Sequence, residues 1–338
     1  MDASNNQRRF RLRQSIIWII LVVIIWYELI YGIFVALIAW LLNYLASGLS
    51  DSLVFIINYY SLTLISVITL GMLCLFKGNR YIWRSFLPAR RKNKAGSYEL
   101  LSRDDFNVEL YGRSRNTPRM LLIGLLLGFL TNFGCILCAL IHGDIKLYFE
   151  SSWSQVPVFL FAFISTFIQS SSEEMWCRGF MYERINERYP LWVAIAVNGI
   201  FFGLMHVLNP SASVLSITGI VICGFSYSLL RWYSGSIWVA MGIHTGWNFT
   251  QNFLFGLPNS GLISEVSLFH LDAANGINNL IYDYGFGVEG ALPALFFDSL
   301  VGIICLILAK RDGRLGELLM SSNKLHEDYE QNNNRLSE

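Results

Sequence analysis

The chain is built from long apolar runs separated by short polar breaks. Runs long enough to cross a bilayer as helices, about 20 residues each, recur along its length. They extend from Ile16 to about Ala46, Leu53 to Phe76, Met120 to Ile141, and Val156 into a charged stretch at Glu173. They continue over Leu191–Leu208, Ser213–Leu230, Ile237–Phe255 and Leu292–Ala309. This pattern predicts an all-α, polytopic helical membrane protein with about eight transmembrane helices. The first run is too long for the apolar core of a signal peptide and reads as a retained span.

The polar breaks orient these spans. Residues 77–119 hold eleven Lys or Arg against four acids, whereas residues 257–290 hold no Lys or Arg and four acids, Glu265, Asp272, Asp283 and Glu289. By the positive-inside rule the first segment is cytoplasmic and the second lies outside. Lys310, Arg311 and Arg314 then place the C-terminus inside, and Arg8, Arg9, Arg11 and Arg13 place the N-terminus there too. The expected organisation is a basic N-terminus (1–15), two spans with a basic loop (16–119), a membrane core (120–309) and a charged tail (310–338).

Composition adds little to this picture. With 54% hydrophobic and 14% charged residues in 338, the chain belongs in a membrane, and a net charge of +1 points to no polyanionic partner. The basic loop is what topology requires; it suits anionic lipid and gives no reason to expect nucleic acid. Six cysteines show no disulfide or zinc-ribbon spacing, and Cys135-x-x-Cys138 reads as a pair of small apolar residues in a helix.

Charge inside the apolar runs changes the picture more. Glu173-Glu174-Met175-Trp176-Cys177-Arg178 ends the fourth run. Each charge at a bilayer centre costs roughly 2.5–3.5 kcal/mol on insertion scales, so such residues are functional candidates. On a helix Glu174 and Arg178 are i,i+4 and pair, while Glu173, about 100° round, is left free. Two further pairs at i,i+4 follow, Phe202-x-x-x-His206 and His244-x-x-x-Asn248. Each histidine is accompanied by glycines four apart, Gly199 and Gly203, then Gly242 and Gly246, as is Gly124 with Gly128 in the third span; such spacing lets helix backbones approach closely. Glu173 lies sixteen residues before Tyr189 and His206 sixteen after Pro190, so a helical hairpin turning there brings both to one level. Glu28, in the first run, is an isolated carboxylate whose role is open.

Glu-Glu-x-x-x-Arg, Phe-x-x-x-His and His-x-x-x-Asn, in this order, resemble the CPBP family of intramembrane proteases, which includes the type II CAAX prenyl endopeptidases and bacteriocin-processing and self-immunity proteins. The resemblance covers about residues 155–256, with all six motif positions present: Glu173, Glu174, Arg178, His206, His244 and Asn248. It implies an endopeptidase, integral to the membrane (the cell membrane in a bacterium), acting on a membrane-associated protein or peptide.

Peptide hydrolysis needs an activated water and a stabilised oxyanion. Glu173 is the candidate base, with His206 holding the water and His244 and Asn248 donating to the oxyanion. Glu174 and Arg178 form a structural pair. In the alternative, Glu173, His206 and His244 ligate zinc, since three protein ligands plus water is the catalytic zinc pattern. The metal-free arrangement is the preferred expectation, because Asn248 suits a hydrogen-bond donor. Two other classes stay open: a non-enzymatic binding or immunity protein on the same fold, and a transporter using the acids and histidines as a proton relay.

Overall fold

The computed structural model describes residues 15–25, 115–149, 156–264, 266–273 and 278–321, together with isolated positions between 32 and 100. The second expected span, Glu28, most of the basic loop and the tail from residue 322 lie outside the described residues.

Helix α1 is Ile16–Val23, capped by Ser15, whose hydroxyl accepts from the Trp18 amide. Helix α2 spans Pro118–His142: Thr117 caps its start, proline fills its first turn where no amide partner is needed, and left-handed Gly143 (φ 87°) ends it. Helix α3, Val156–Glu174, runs without a break into a wider π-helical segment, Met175–Met181, and then into α4, Tyr182–Asn186. After a turn at Tyr189-Pro190 come α5 (Leu191–Met205), α6 (Val214–Ser234) and α7 (Ile237–Phe249). The last continues as a second π-helical segment, Thr250–Leu254. Helix α8, Leu292–Arg311, closes the bundle.

Each of the six spans expected between Met120 and Ala309 thus coincides with a helix. Four helices among the described residues are long and apolar enough to cross a membrane: Pro118–His142, Val156–Asn186, Val214–Ser234 and Leu292–Arg311. The fifth expected span is shorter than its apolar run. Helix α5 stops at Met205 after 15 residues, with His206 as its C-terminal cap and Asn209-Pro210 beyond.

The all-α expectation requires one amendment. Strands β1 (Arg90–Lys92) and β2 (Tyr98–Leu100) pair antiparallel, and so do β3 (Ile145–Phe149) and β4 (Phe269–Ala273). The second ladder joins the segment after α2 to the segment between α7 and α8, which an eight-span count puts on the same side. Ile145, Leu147 and Phe149 oppose Ala273, Leu271 and Phe269, a period-two match too short to stand out in the sequence.

The site-bearing helix α7 is set by glycine. A Cβ on Gly124 would come within 2.3 Å of the Val239 carbonyl oxygen, and one on Gly128 within 2.1 Å of that of Ile243. From the other side, a Cβ on Gly242 would meet the Leu121 oxygen at 2.4 Å and one on Gly246 the Leu125 oxygen at 2.4 Å. Helices α2 and α7 therefore touch backbone to backbone, through interleaved glycines at four-residue spacing. Gly128→Ala should force the two helices apart and destabilise the protein by about 1–3 kcal/mol. Its detergent-solubilised melting temperature checks this, and an unchanged value would contradict the contact. At the end of the same interface, Asn132 Nδ2 donates to Gln251 Oε1 at 2.7 Å, and Gln251 holds the Pro258 carbonyl. The loop after α7 is thereby tied to α2.

Candidate active site

Glu173 and Glu174 end α3 and face different surroundings. Glu174 is fully buried. Arg178 Nη1 donates to its Oε1 at 2.9 Å, and His244 Nδ1, from α7, lies 3.0 Å from the same oxygen. The π-helical turn between the two residues keeps Arg178 within the bundle, where it has no exposed surface. Its guanidinium carbon stands 4.1 Å from the centre of the Phe202 ring, and its Nη2 reaches the Gly224 carbonyl at 3.4 Å. The Phe202 ring centre is in turn 5.1 Å from that of His206 and 5.9 Å from that of His244. Phe202 is thus the apolar plate against which the cation and both imidazoles rest, a cation–π and aromatic arrangement that holds them without further charge.

Glu173 takes the other direction. Gln169 Nε2, one turn earlier, donates to its Oε1. Its Oε2 has no hydrogen-bond partner among the described residues and stands 3.9 Å from His244 Nε2. A cavity of about 360 Å³ opens here, lined by Glu173, His206, His244 and Asn248. The sequence-predicted set therefore divides. Four of its residues face one cavity, whereas Glu174 and Arg178 stand behind the wall and position His244.

The histidines are oriented by what their Nδ1 atoms touch. His206 Nδ1 is 2.8 Å from the Phe202 carbonyl oxygen. A carbonyl only accepts, so Nδ1 carries the proton and Nε2 of the neutral ring is an acceptor. His244 Nδ1 likewise donates to Glu174, which turns Nε2 toward Glu173. Asn248 Oδ1 accepts from Asn259 Nδ2 at 3.2 Å, so its amide NH2 remains the donor. All three assignments follow from the hydrogen-bond network. Chemically, the cavity offers a carboxylate oxygen with no hydrogen-bond partner among the described residues, an imidazole lone pair, and donors fixed from α7. That is the inventory for activating water and holding an oxyanion.

The comparison with known families decides which chemistry this inventory resembles. Residues 152–250 match the family model Rce1-like, described as type II CAAX prenyl endopeptidase Rce1-like. The match contains all six motif residues. At the level of the family it supports a CAAX-type intramembrane protease with a membrane-associated peptide substrate, in agreement with the four membrane-length helices. No curated protein matches the chain.

In the zinc alternative Glu173, His206 and His244 would be the ligands. Among the described residues no three His, Cys, Asp or Glu side chains gather in a group that could hold a metal ion, and Glu173, His206 and His244 are no exception. The Nδ1 of each histidine is engaged, which leaves each Nε2 as the atom that can meet a ligand or a water, and His244 Nε2 stands 3.9 Å from Glu173 Oε2.

Several lining residues were not singled out by sequence. Gln169 lies one turn before Glu173, and Asn259 orients Asn248. Glu289 and Asp298 also face the cavity. Glu289 Oε2 accepts from Trp247 Nε1 at 3.3 Å and its Oε1 from the Ser260 amide, and burial pushes its carboxyl up to about 7. Asp298, in α8, is 3% exposed, and its Oδ1 has no hydrogen-bond partner among the described residues. A signal for Asp298 existed: it is a carboxylate within an otherwise apolar span.

Proposed function

We propose that the protein is an intramembrane endopeptidase that hydrolyses a peptide bond of a membrane-associated protein or peptide by glutamate-activated water. The observation that carries this reading is the division of the two adjacent carboxylates. Glu174 is neutralised by Arg178 and bound to His244, whereas Glu173 presents to the cavity shared with His206, His244 and Asn248 an oxygen that has no hydrogen-bond partner among the described residues.

In this mechanism His206 Nε2 accepts one hydrogen of the water and Glu173 takes the proton as the water oxygen attacks the scissile carbonyl carbon. The carbonyl oxygen becomes an oxyanion, met by the Asn248 amide and by His244 Nε2–H when that ring carries its second proton. The C–N bond then breaks, and the proton held by Glu173 passes to the departing amine. One water is consumed, and a carboxyl and an amine are produced. Preorganised donors of this kind act mainly on the transition state.

The test is product analysis. Purified full-length protein in lipid nanodiscs should convert a bilayer-tethered peptide into two fragments whose masses sum to the substrate plus water. Elemental analysis of the same active sample should find no stoichiometric zinc, and chelators should leave the rate intact. Intact peptide after prolonged incubation across a varied library would favour the binding-protein reading. One zinc per chain, removable with loss of activity and restorable, would overturn the metal-free mechanism.

We also propose the orientation that the charge pattern implies: residues 77–119 in the cytoplasm and residues 257–290 outside, with eight crossings. In a cysteine-depleted background, Leu280→Cys should react with an impermeant maleimide in intact cells, and Ser97→Cys only after permeabilisation. Labelling of both from one side would contradict the eight-span topology.

A further inference from the structure

The cavity contains more acid than water activation uses. Its lining holds three carboxylates, Glu173, Glu289 and Asp298, and among the described residues no Lys or Arg. Glu289 comes from the short helical turn Val288–Gly290 of the expected outer segment and Asp298 from α8. The two therefore reach the cavity from different elements.

Glu289 is held in place. The Ser260 amide and Trp247 Nε1 both donate to it, and Trp247 immediately precedes Asn248, so this acidic wall adjoins the side where the oxyanion donor sits. Asp298 has no such support. It is 97% removed from solvent by its 3% exposure, lines the cavity, and leaves Oδ1 without a hydrogen-bond partner among the described residues. A buried polar group is expensive without a partner, and a carboxylate more so than most. Two acids lining one cavity repel unless a cation or a proton lies between them. A group with several N–H donors would satisfy both at once, through charge-assisted hydrogen bonds in a low-dielectric site.

We infer that Glu289 and Asp298 form an acidic subsite that takes the cationic side chain, Lys or Arg, of a substrate residue close to the scissile bond. This deepens the peptidase reading and rests on it for the word substrate; the subsite itself is a binding property with its own readout. An ammonium or guanidinium entering the cavity meets the acids that the bundle leaves without a counter-charge. An uncharged side chain of equal length leaves Asp298 as it is.

The experiment walks a single Lys through a neutral, end-capped membrane peptide, with norleucine at the same positions as the uncharged control. Binding to the full chain in nanodiscs is read by fluorescence anisotropy, and the same mixtures are analysed for cleavage. At one position Lys should bind at least about tenfold more tightly than norleucine. Asp298→Asn and Glu289→Gln should each erase most of that difference while melting shows the protein folded. Equal binding of Lys and norleucine at every position would overturn the subsite, as would a preference that survives both substitutions. A charge preference that both substitutions remove, without cleavage of any peptide, would uphold the subsite and sink the peptidase reading. Cleavage with no charge preference would do the reverse.

Discussion

Glu173→Gln should abolish cleavage and leave the fold intact. The substitution keeps the shape of the side chain and lets its amide oxygen still accept from Gln169 Nε2, as Glu173 Oε1 does. It removes the one thing a general base must do, which is to take and return a proton. Positioned acid–base groups contribute about 10²–10⁴-fold, and the rate should fall by that much or more. Peptide binding should change little, so the loss appears in turnover. Full activity with an unchanged melting curve would remove Glu173 from the mechanism.

Arg178→Ala should damage both fold and activity. The guanidinium and the Glu174 carboxylate are both fully buried, 2.9 Å apart, and removing one leaves the other charged and alone. Breaking a buried pair in this way costs about 3–5 kcal/mol. The damage also reaches the site, because Glu174 Oε1 is the atom that fixes His244 Nδ1. A double-mutant cycle of Arg178→Ala with Glu174→Gln, read by detergent melting, should show strong coupling, since the neutral amide no longer demands the cation. Additive losses would mean that the pair is not the unit described.

How far the sequence anticipated this arrangement depends on whether a contact runs along one helix or between helices. The Glu174–Arg178 pair and the seat of His206 against Phe202 are i,i+4 contacts that periodicity alone supplies. The glycine spacings in α2 and α7 foretold close approach, and the symmetric count about Tyr189-Pro190 put Glu173 and His206 at one level, where both line the cavity. The bond from His244 to Glu174 was not legible. It joins residues 70 apart, and only the rotation of α7 about its axis, set by the glycine contact with α2, turns Nδ1 toward α3. The π-helical segments at Met175–Met181 and Thr250–Leu254 were missed for a related reason. Nothing in their apolar periodicity sets these turns apart from the α-helices that they continue. Glu289 was visible only as a loop charge that helped to orient the chain. Its place in the cavity depends on the fold of the segment from Leu257 to Gly290, held by Gln251 and by the Trp247 indole.

The central claim is that water attacks the peptide bond directly, with no protein nucleophile. Its most direct test is cleavage of a bilayer-tethered peptide by the wild-type protein in H2¹⁸O, with and without added hydroxylamine, followed by mass spectrometry of the fragments. The account predicts one ¹⁸O in the new C-terminal carboxyl group, no hydroxamate, and no mass adduct on the protein. A hydroxamate product or a trapped acyl-protein would contradict it, because either requires a covalent intermediate that Glu173-activated water does not form.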